Sequence, residues 1–330
     1  VTGIFKQKTP ANIIVLLVFG VLIKLPIFLY PHVPLPKTTD GALFTWVLGF
    51  LGPTGKSFPL IYPILTYAIL YLQAISLTSF INSQRMMSRP NYFPGMAYML
   101  ITSLFPEWNL FSAPLLVNGI LVLVLSRLFK TYNQQAALGT VFNIGLALGI
   151  ASFIFFPAVT FIIWILLALA VMRPFRLNEW IVCITGVTTP FYFFGVYLFL
   201  TDQWNWQQIW PSFSLQLPGI RQSAWLAGSV FLLAVPFLAG GYYVQDSLRR
   251  MLIQVRKGWS LLLLYLLGAL LIPFVNSTDT LENWIMAAIP LAAFHACTYL
   301  YATFRILPLI LFWLTVAFIL SYQYYFHGWG

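Results

Sequence analysis

Apolar runs of roughly 20 residues recur from one end of this 330-residue chain to the other, and a helix of that length just spans the hydrocarbon core of a bilayer. Little material is left for a soluble domain, because 60% of the residues are hydrophobic and only 7% are charged. The chain therefore reads as an all-α, polytopic membrane protein.

The few charges say which way the runs point. Thirteen of the seventeen lysines and arginines lie in every second gap between runs: Lys6, Lys8, Arg85, Arg89, Arg127, Lys130, Arg173, Arg176, Arg249, Arg250, Arg256, Lys257 and Arg305. Five of the seven acids, Asp40, Glu107, Asp202, Asp279 and Glu282, lie in the other gaps. Short loops rich in Lys and Arg stay cytoplasmic, so those acids face outward. Spans are expected near 11–30, 58–81, 91–106, 109–126, 136–155, 157–172, 179–201, 222–244, 258–275, 284–303 and 306–322. The apolar run 136–172 is too long for one crossing and carries Pro157 near its middle, so it is split into a hairpin. About eleven transmembrane helices follow, with the N-terminus inside and the C-terminal tail, with His327, outside. Lys6 and Lys8 precede the first run without a small-residue cleavage site, which reads as a retained signal anchor. No repeat or linker divides the chain, so 1–330 is taken as one integral membrane domain.

The net charge of +10 does not point to nucleic acid. The cations sit in thin clusters at the ends of apolar runs, where they orient helices and meet anionic headgroups. Membrane lipids are the expected partners. Cys183 and Cys297 lie inside apolar stretches and read as packed thiols. His32, His295 and His327 have no metal-ligand spacing, and His295 reads as a hydrogen-bonded core residue. His32, where the first span emerges, suits an anionic ligand or plain solvent equally.

Two outer segments are long enough to have shape of their own, 31–57 and 202–221. The second, DQWNWQQIWPSFSLQLPGIR, carries Trp204, Trp206 and Trp210, which suit an interfacial helix, sugar stacking or lipid contact. Within the first, GFLGPTGKS has the tail of a phosphate-binding loop but Phe50 where that loop needs glycine, so it is read as a turn. Ion-coupled transport would call for charges inside the membrane. Here Lys24 is placed near the outer interface, its stem snorkelling, and Asn118, Asn143 and His295 are explained by bonds between helices. An uncoupled lipid flippase or small-molecule transporter stays open.

The outward carboxylates remain. Asp40 follows the first span in PLPKTTDGALF, and Glu107 occupies the next outer turn in TSLFPEWNLF. At one rim, such acids can take an acceptor's proton or hold a divalent ion while a group is transferred.

This layout resembles the GT-C class of polytopic glycosyltransferases, which begin in the cytoplasm and carry a functional acid in the first outer loop and often another in the next. The stretch 58–176 is similar to the GT-C core in rhythm: YLQAISLTSFINSQRMMSRPNYFPGMAYMLITSLFPEWNLFSAPLLVNGILVLVLSRLF, then a hairpin ending in RPFR. The likeness thus covers about 11–176 and leaves the helices of 179–322 unmatched. It implies sugar transfer from a polyprenyl-phosphate donor at the outer face of a bacterial inner membrane. Asp40 and Glu107 would be catalytic, and Lys24, Lys37, Lys56 and Arg221 would meet the donor phosphate. TTDGA has one acid where the class often has two, which argues against a metal cofactor. The chain also resembles bacterial multi-pass membrane proteins of no assigned activity. A non-catalytic scaffold or assembly subunit of an envelope complex, with protein partners, is therefore the alternative.

Overall fold

A computed structural model describes residues 3–204, 214–219, 223–275, 280–304 and 306–322. Among these the protein is helical throughout, with only two isolated bridges, Asp40–Phe155 and Leu215–Val275, in extended backbone. The α-helices are α1 (Ala11–Ile23), α2 (Leu25–Leu29), α3 (Ala42–Ser57), α4 (Ile61–Ser83), α5 (Phe93–Ser103), α6 (Ala113–Lys130) and α7 (Leu138–Ile154). They continue as α8 (Phe161–Met172), α9 (Leu177–Leu200), α10 (Ala224–Ser247), α11 (Ile253–Leu271), α12 (Ala288–Tyr301) and α13 (Ile306–Leu320). Arg221, Trp206, Trp210, Asp279, Arg305 and His327 lie outside the described residues.

A helix lies at each of the eleven expected positions. Among the described residues, six helical stretches are long and apolar enough to cross a membrane: Ile61–Ser83, Ala113–Lys130, Leu177–Leu200, Ala224–Arg250, Ile253–Phe274 and Leu281–Tyr301. They make this a multi-pass membrane protein. Ala11–Ile23, Leu138–Ile154, Phe156–Met172 and Ile306–Leu320 are apolar but shorter. The break between α7 and α8 falls at Phe155, whose backbone is extended just before the 3-10 turn Phe156–Thr160 that contains Pro157. Proline lacks the amide a continuing helix would use and pushes the residue before it out of helical geometry.

Two helices lie at the centre. Every residue of α5 is buried, as are twelve of the fourteen in α12, and the two pack together with α10 against α12. A helix that is apolar all round has no polar face to offer water, so it belongs inside. One cross-helix polar knot sits among them. Asn118 Nδ2 of α6 donates to Tyr98 Oη of α5 at 2.8 Å, Tyr98 donates to Gln73 of α4, and Gln73 Nε2 donates to the Leu115 carbonyl at 2.7 Å. His295 is likewise a core residue, its Nε2 2.9 Å from the Leu233 carbonyl oxygen. Both cysteines are buried and free. Asn143 differs from expectation. It is exposed on α7 and bonds no neighbouring helix.

The charge of α6 is confined to one end. Helix α6 begins at Ser112 and Ala113 and ends with Arg127 and Lys130 in its last turn. Its 18 residues at ~1.5 Å each cover about 27 Å, close to the ~30 Å of a hydrocarbon core. The basic end is tied by Arg173, whose guanidinium makes a two-pronged pair with Glu179 at 3.0 and 2.9 Å and donates to the carbonyls of Thr131 and Gln134.

Helices α7 and α9 meet through small residues. A Cβ on Gly149 would lie 2.5 Å from the Val187 carbonyl oxygen, and one on Gly186 would lie 2.5 Å from that of Phe142. In lipid, where apolar burial does not drive helices together, such backbone approach supplies the packing. Gly149→Ala should therefore lower the unfolding temperature in detergent, since overpacking costs about 1–3 kcal/mol. Gly139→Ala, which meets nothing within 4 Å, should leave it unchanged or slightly raised. Thermal unfolding of the pair measures the difference, and equal shifts would contradict close α7–α9 packing.

Candidate functional site

Asp40 is held by its own turn. Pro36 fixes the approach, the Asp40 amide donates to the Lys37 carbonyl at 3.1 Å, and the Lys37 amide donates to Asp40 Oδ2 at 2.8 Å. The next residue anchors this turn to the bundle. Gly41 N–H donates to the Ile154 carbonyl at 2.8 Å, and a Cβ there would sit 2.0 Å from the Phe153 carbonyl oxygen. Only glycine allows that approach. Asp40 is thus fixed against the end of α7, 114 residues away by number (154 − 40), although its turn is a loop in the sequence.

A cavity of about 150 Å³ opens over this turn, with His32, Lys37, Asp40, Ser112 and Glu282 among its lining residues. Lys37 Nζ reaches across it to Glu282 Oε2 at 2.6 Å. No other group among the described residues bonds Asp40 Oδ1. Partial burial is the main cause that pushes the Asp40 carboxyl up to about 6, with Glu282 adding to the rise and the Lys37 amide and ammonium opposing it. Just above that pH the carboxylate is ionised and basic enough to accept a proton.

Glu107 stands behind the cavity rather than in its lining. It lies in the 3-10 turn Pro106–Asn109 and accepts the amide hydrogen of Leu281, one residue before Glu282. Burial raises its pKa and Glu282 raises it further, while the amides of Leu281 and Glu282 and the Lys37 charge work the other way. Trp108 Nε1, beside it, donates to the Leu281 carbonyl at 2.8 Å. Glu107 and Trp108 therefore clamp the start of the Leu281–Ala287 turn and set where Glu282 points. On the other side of Leu281 lies an apolar groove of about 430 Å³, walled by Phe105, Trp108, Phe237, Leu270, Leu281 and Trp284.

The expected phosphate-binding cations divide. Lys37 lines the cavity and is about one-third exposed. Lys24 does not snorkel to an interface, because it is fully buried at the joint between α1 and α2. Its ammonium donates to Thr102 Oγ1 at 2.9 Å and to Asn109 Oδ1, which ties α1 to α5 and to the Glu107 turn. Lys56 is exposed in the last turn of α3, away from the cavity lining. That helix occupies what the sequence reads as loop, and GFLGPTGKS is its C-terminal half. Trp204 lies against the exposed aromatic face of α9 with Tyr192 and Phe199.

Glu282 was legible as an outward acid but not as the partner of Lys37, because 245 positions separate them. Among the described residues no group of three His, Cys, Asp or Glu side chains could hold a metal ion. The site therefore offers one partly buried carboxylate, one ion pair and a histidine, beside an apolar groove. No protein-family model, no curated protein and no solved structure matches this chain.

The Asp40 carboxyl should titrate near pH 6, and the infrared carboxylic-acid band it gives should be missing in Asp40→Asn. Its pKa is raised on folding, so it favours the folded state at low pH, and that contribution is lost as pH rises from about 4 through about 6. Lys37→Met removes a charge that lowers the pKa and should move the titration upward. A band midpoint at the ordinary aspartate value, about 3.9, would show that Asp40 is fully solvated.

Proposed function

We propose that this protein is a GT-C-like enzyme of a bacterial inner membrane, which transfers a sugar from a polyprenyl-phosphate donor at the outer face. The observation that carries the reading is Asp40. It is a carboxylate with one oxygen unpaired among the described residues, clamped at the rim of a small cavity and poised near neutral pH. Its part is that of the general base that takes the acceptor's hydroxyl proton, while Lys37 and His32 meet the donor's phosphate. Glu107 positions the Glu282 turn and does not touch substrate. The cavity is smaller than the ~300–1,000 Å³ of sites that enclose a drug-sized ligand. It suits a sugar head whose apolar tail stays outside, and the groove beyond Leu281 is next to it.

In the same reading the eleven helices all cross or enter the membrane, the N-terminus is inside and the C-terminus is outside. Ser112, in the cavity wall, and Lys130 then lie at the two faces of the bilayer. Charge segregation supports this orientation. A C-terminal reporter protected from external protease, once outer barriers are breached, would overturn it.

Loss of a general base typically costs roughly 10²- to 10⁴-fold in rate with the fold intact. Asp40→Asn should therefore accumulate with its fold intact but lose transfer from polyprenyl-phosphate sugars, and Asp202→Asn should keep both fold and transfer. The remaining activity of the wild type should fall as pH drops below about 6 and Asp40 takes up its proton. Wild-type protein that consumes none of a panel of lipid-linked sugars would favour the scaffold or assembly-subunit reading.

A further inference from the structure

At the opposite, basic end of the helices, three connections converge on a second pocket of about 300 Å³. The first follows α4. There the chain ends a helix with Met86 N–H donating to the Ile81 carbonyl at 3.1 Å, which leaves Arg85 in the left-handed region at φ 51°. Glycine or asparagine normally takes that place, because other side chains crowd the backbone there. The second connection joins α10 to α11 and brings Arg250, with Ser247 beside it. The third is the end of α12, where Tyr301 Oη accepts the Ser88 amide hydrogen at 2.8 Å.

Arg85 and Arg250 both line this pocket, with Ser88 and Ser247, over a floor of Met86, Met251 and Val255. No acid lines it. Neither guanidinium pairs with a carboxylate among the described residues, and neither bonds the carbonyls left open at the end of a helix, the ordinary employment of such an arginine. A guanidinium presents a planar fork of donors that fits phosphate oxygens two at a time. The rim next to Arg250 is apolar and open, with Leu252, which caps α11, 68% exposed and Ile253, its first residue, 57% exposed. A free phosphate has no use for that apolar rim. An amphiphile does.

We propose that this pocket binds the phosphate headgroup of an anionic phospholipid, with Arg85 and Arg250 on the phosphate and the acyl chains leaving past Leu252 and Ile253. The site is separate from the Asp40 cavity, and it stands whether or not that cavity transfers sugar. Basic pockets between membrane helices are where such headgroups settle, and each cation near the surface adds appreciably to the attraction.

The full chain in neutral detergent, titrated with phosphatidylglycerol and followed by native mass spectrometry, tests this. Arg85→Gly suits the backbone at φ 51° and so spares the fold. Combined with Arg250→Ala it should weaken phosphatidylglycerol binding by about tenfold or more, while Lys130→Ala, at the same end but outside the pocket, should bind like the wild type. Phosphatidylcholine should bind the wild type at least about tenfold more weakly than phosphatidylglycerol. The proposal is overturned if the double variant retains the lipid, if Lys130→Ala loses as much, or if the zwitterionic lipid binds equally. Glycerol 3-phosphate competing as well as the lipid would overturn the lipid assignment in favour of a soluble phosphate.

Discussion

Away from water, a polar group is stable only if the protein itself supplies its partner, and that requirement organises this molecule more than any other. The backbone meets it by forming helices. Side chains meet it with a handful of ties between segments remote in sequence: Gln73, Tyr98 and Asn118 at the centre, Lys24 with Thr102 and Asn109, and Arg173 with the carbonyls of Thr131 and Gln134. At the centre, α5 and most of α12 are enclosed on all sides, and their few polar side chains, Tyr98, Thr102 and His295 among them, are hydrogen-bonded within the bundle. Burying a charge is costly even when its partners are good, which restricts the buried cations to joints and ends. Lys24 sits where one helix stops and a short one begins, and Arg173 sits where α8 ends.

The polar cavity is a consequence of those joints. Lys24 draws the Glu107 turn onto the end of α1, Glu107 and Trp108 hold the beginning of the Leu281 turn, and that turn presents Glu282 to Lys37. From the other direction, Gly41 pins the Asp40 turn to the end of α7. Segments remote in sequence therefore meet around one rim, and successive residues on the Leu281 turn face different surroundings. Leu281 faces the apolar groove and Glu282 the polar cavity. Preorganised polar groups in a partly dry site act more strongly than they would in water.

The two ends of the bundle carry opposite electrostatics. The cavity at the acidic end carries two carboxylates against one ammonium, and burial moves Asp40 toward neutrality. The pocket at the basic end holds two guanidinium groups and no acid. Arg85 keeps a backbone conformation that glycine would adopt more easily.

The hydrophobic runs already specified helices, several of them long and apolar enough to cross a membrane, because span length is a local property that one run carries by itself. Pro157 marked its break for the same reason. Asp40 and Lys37 were legible as neighbours, three residues apart in one turn. The sequence did not show Lys24 buried, α3 folded within an apparent loop, Glu107 turned into a clamp, or Glu282 reaching Lys37 from 245 positions away. Each of these depends on which helix ends become neighbours in space, and that is decided by side-chain packing over the whole bundle, which no single stretch of sequence carries.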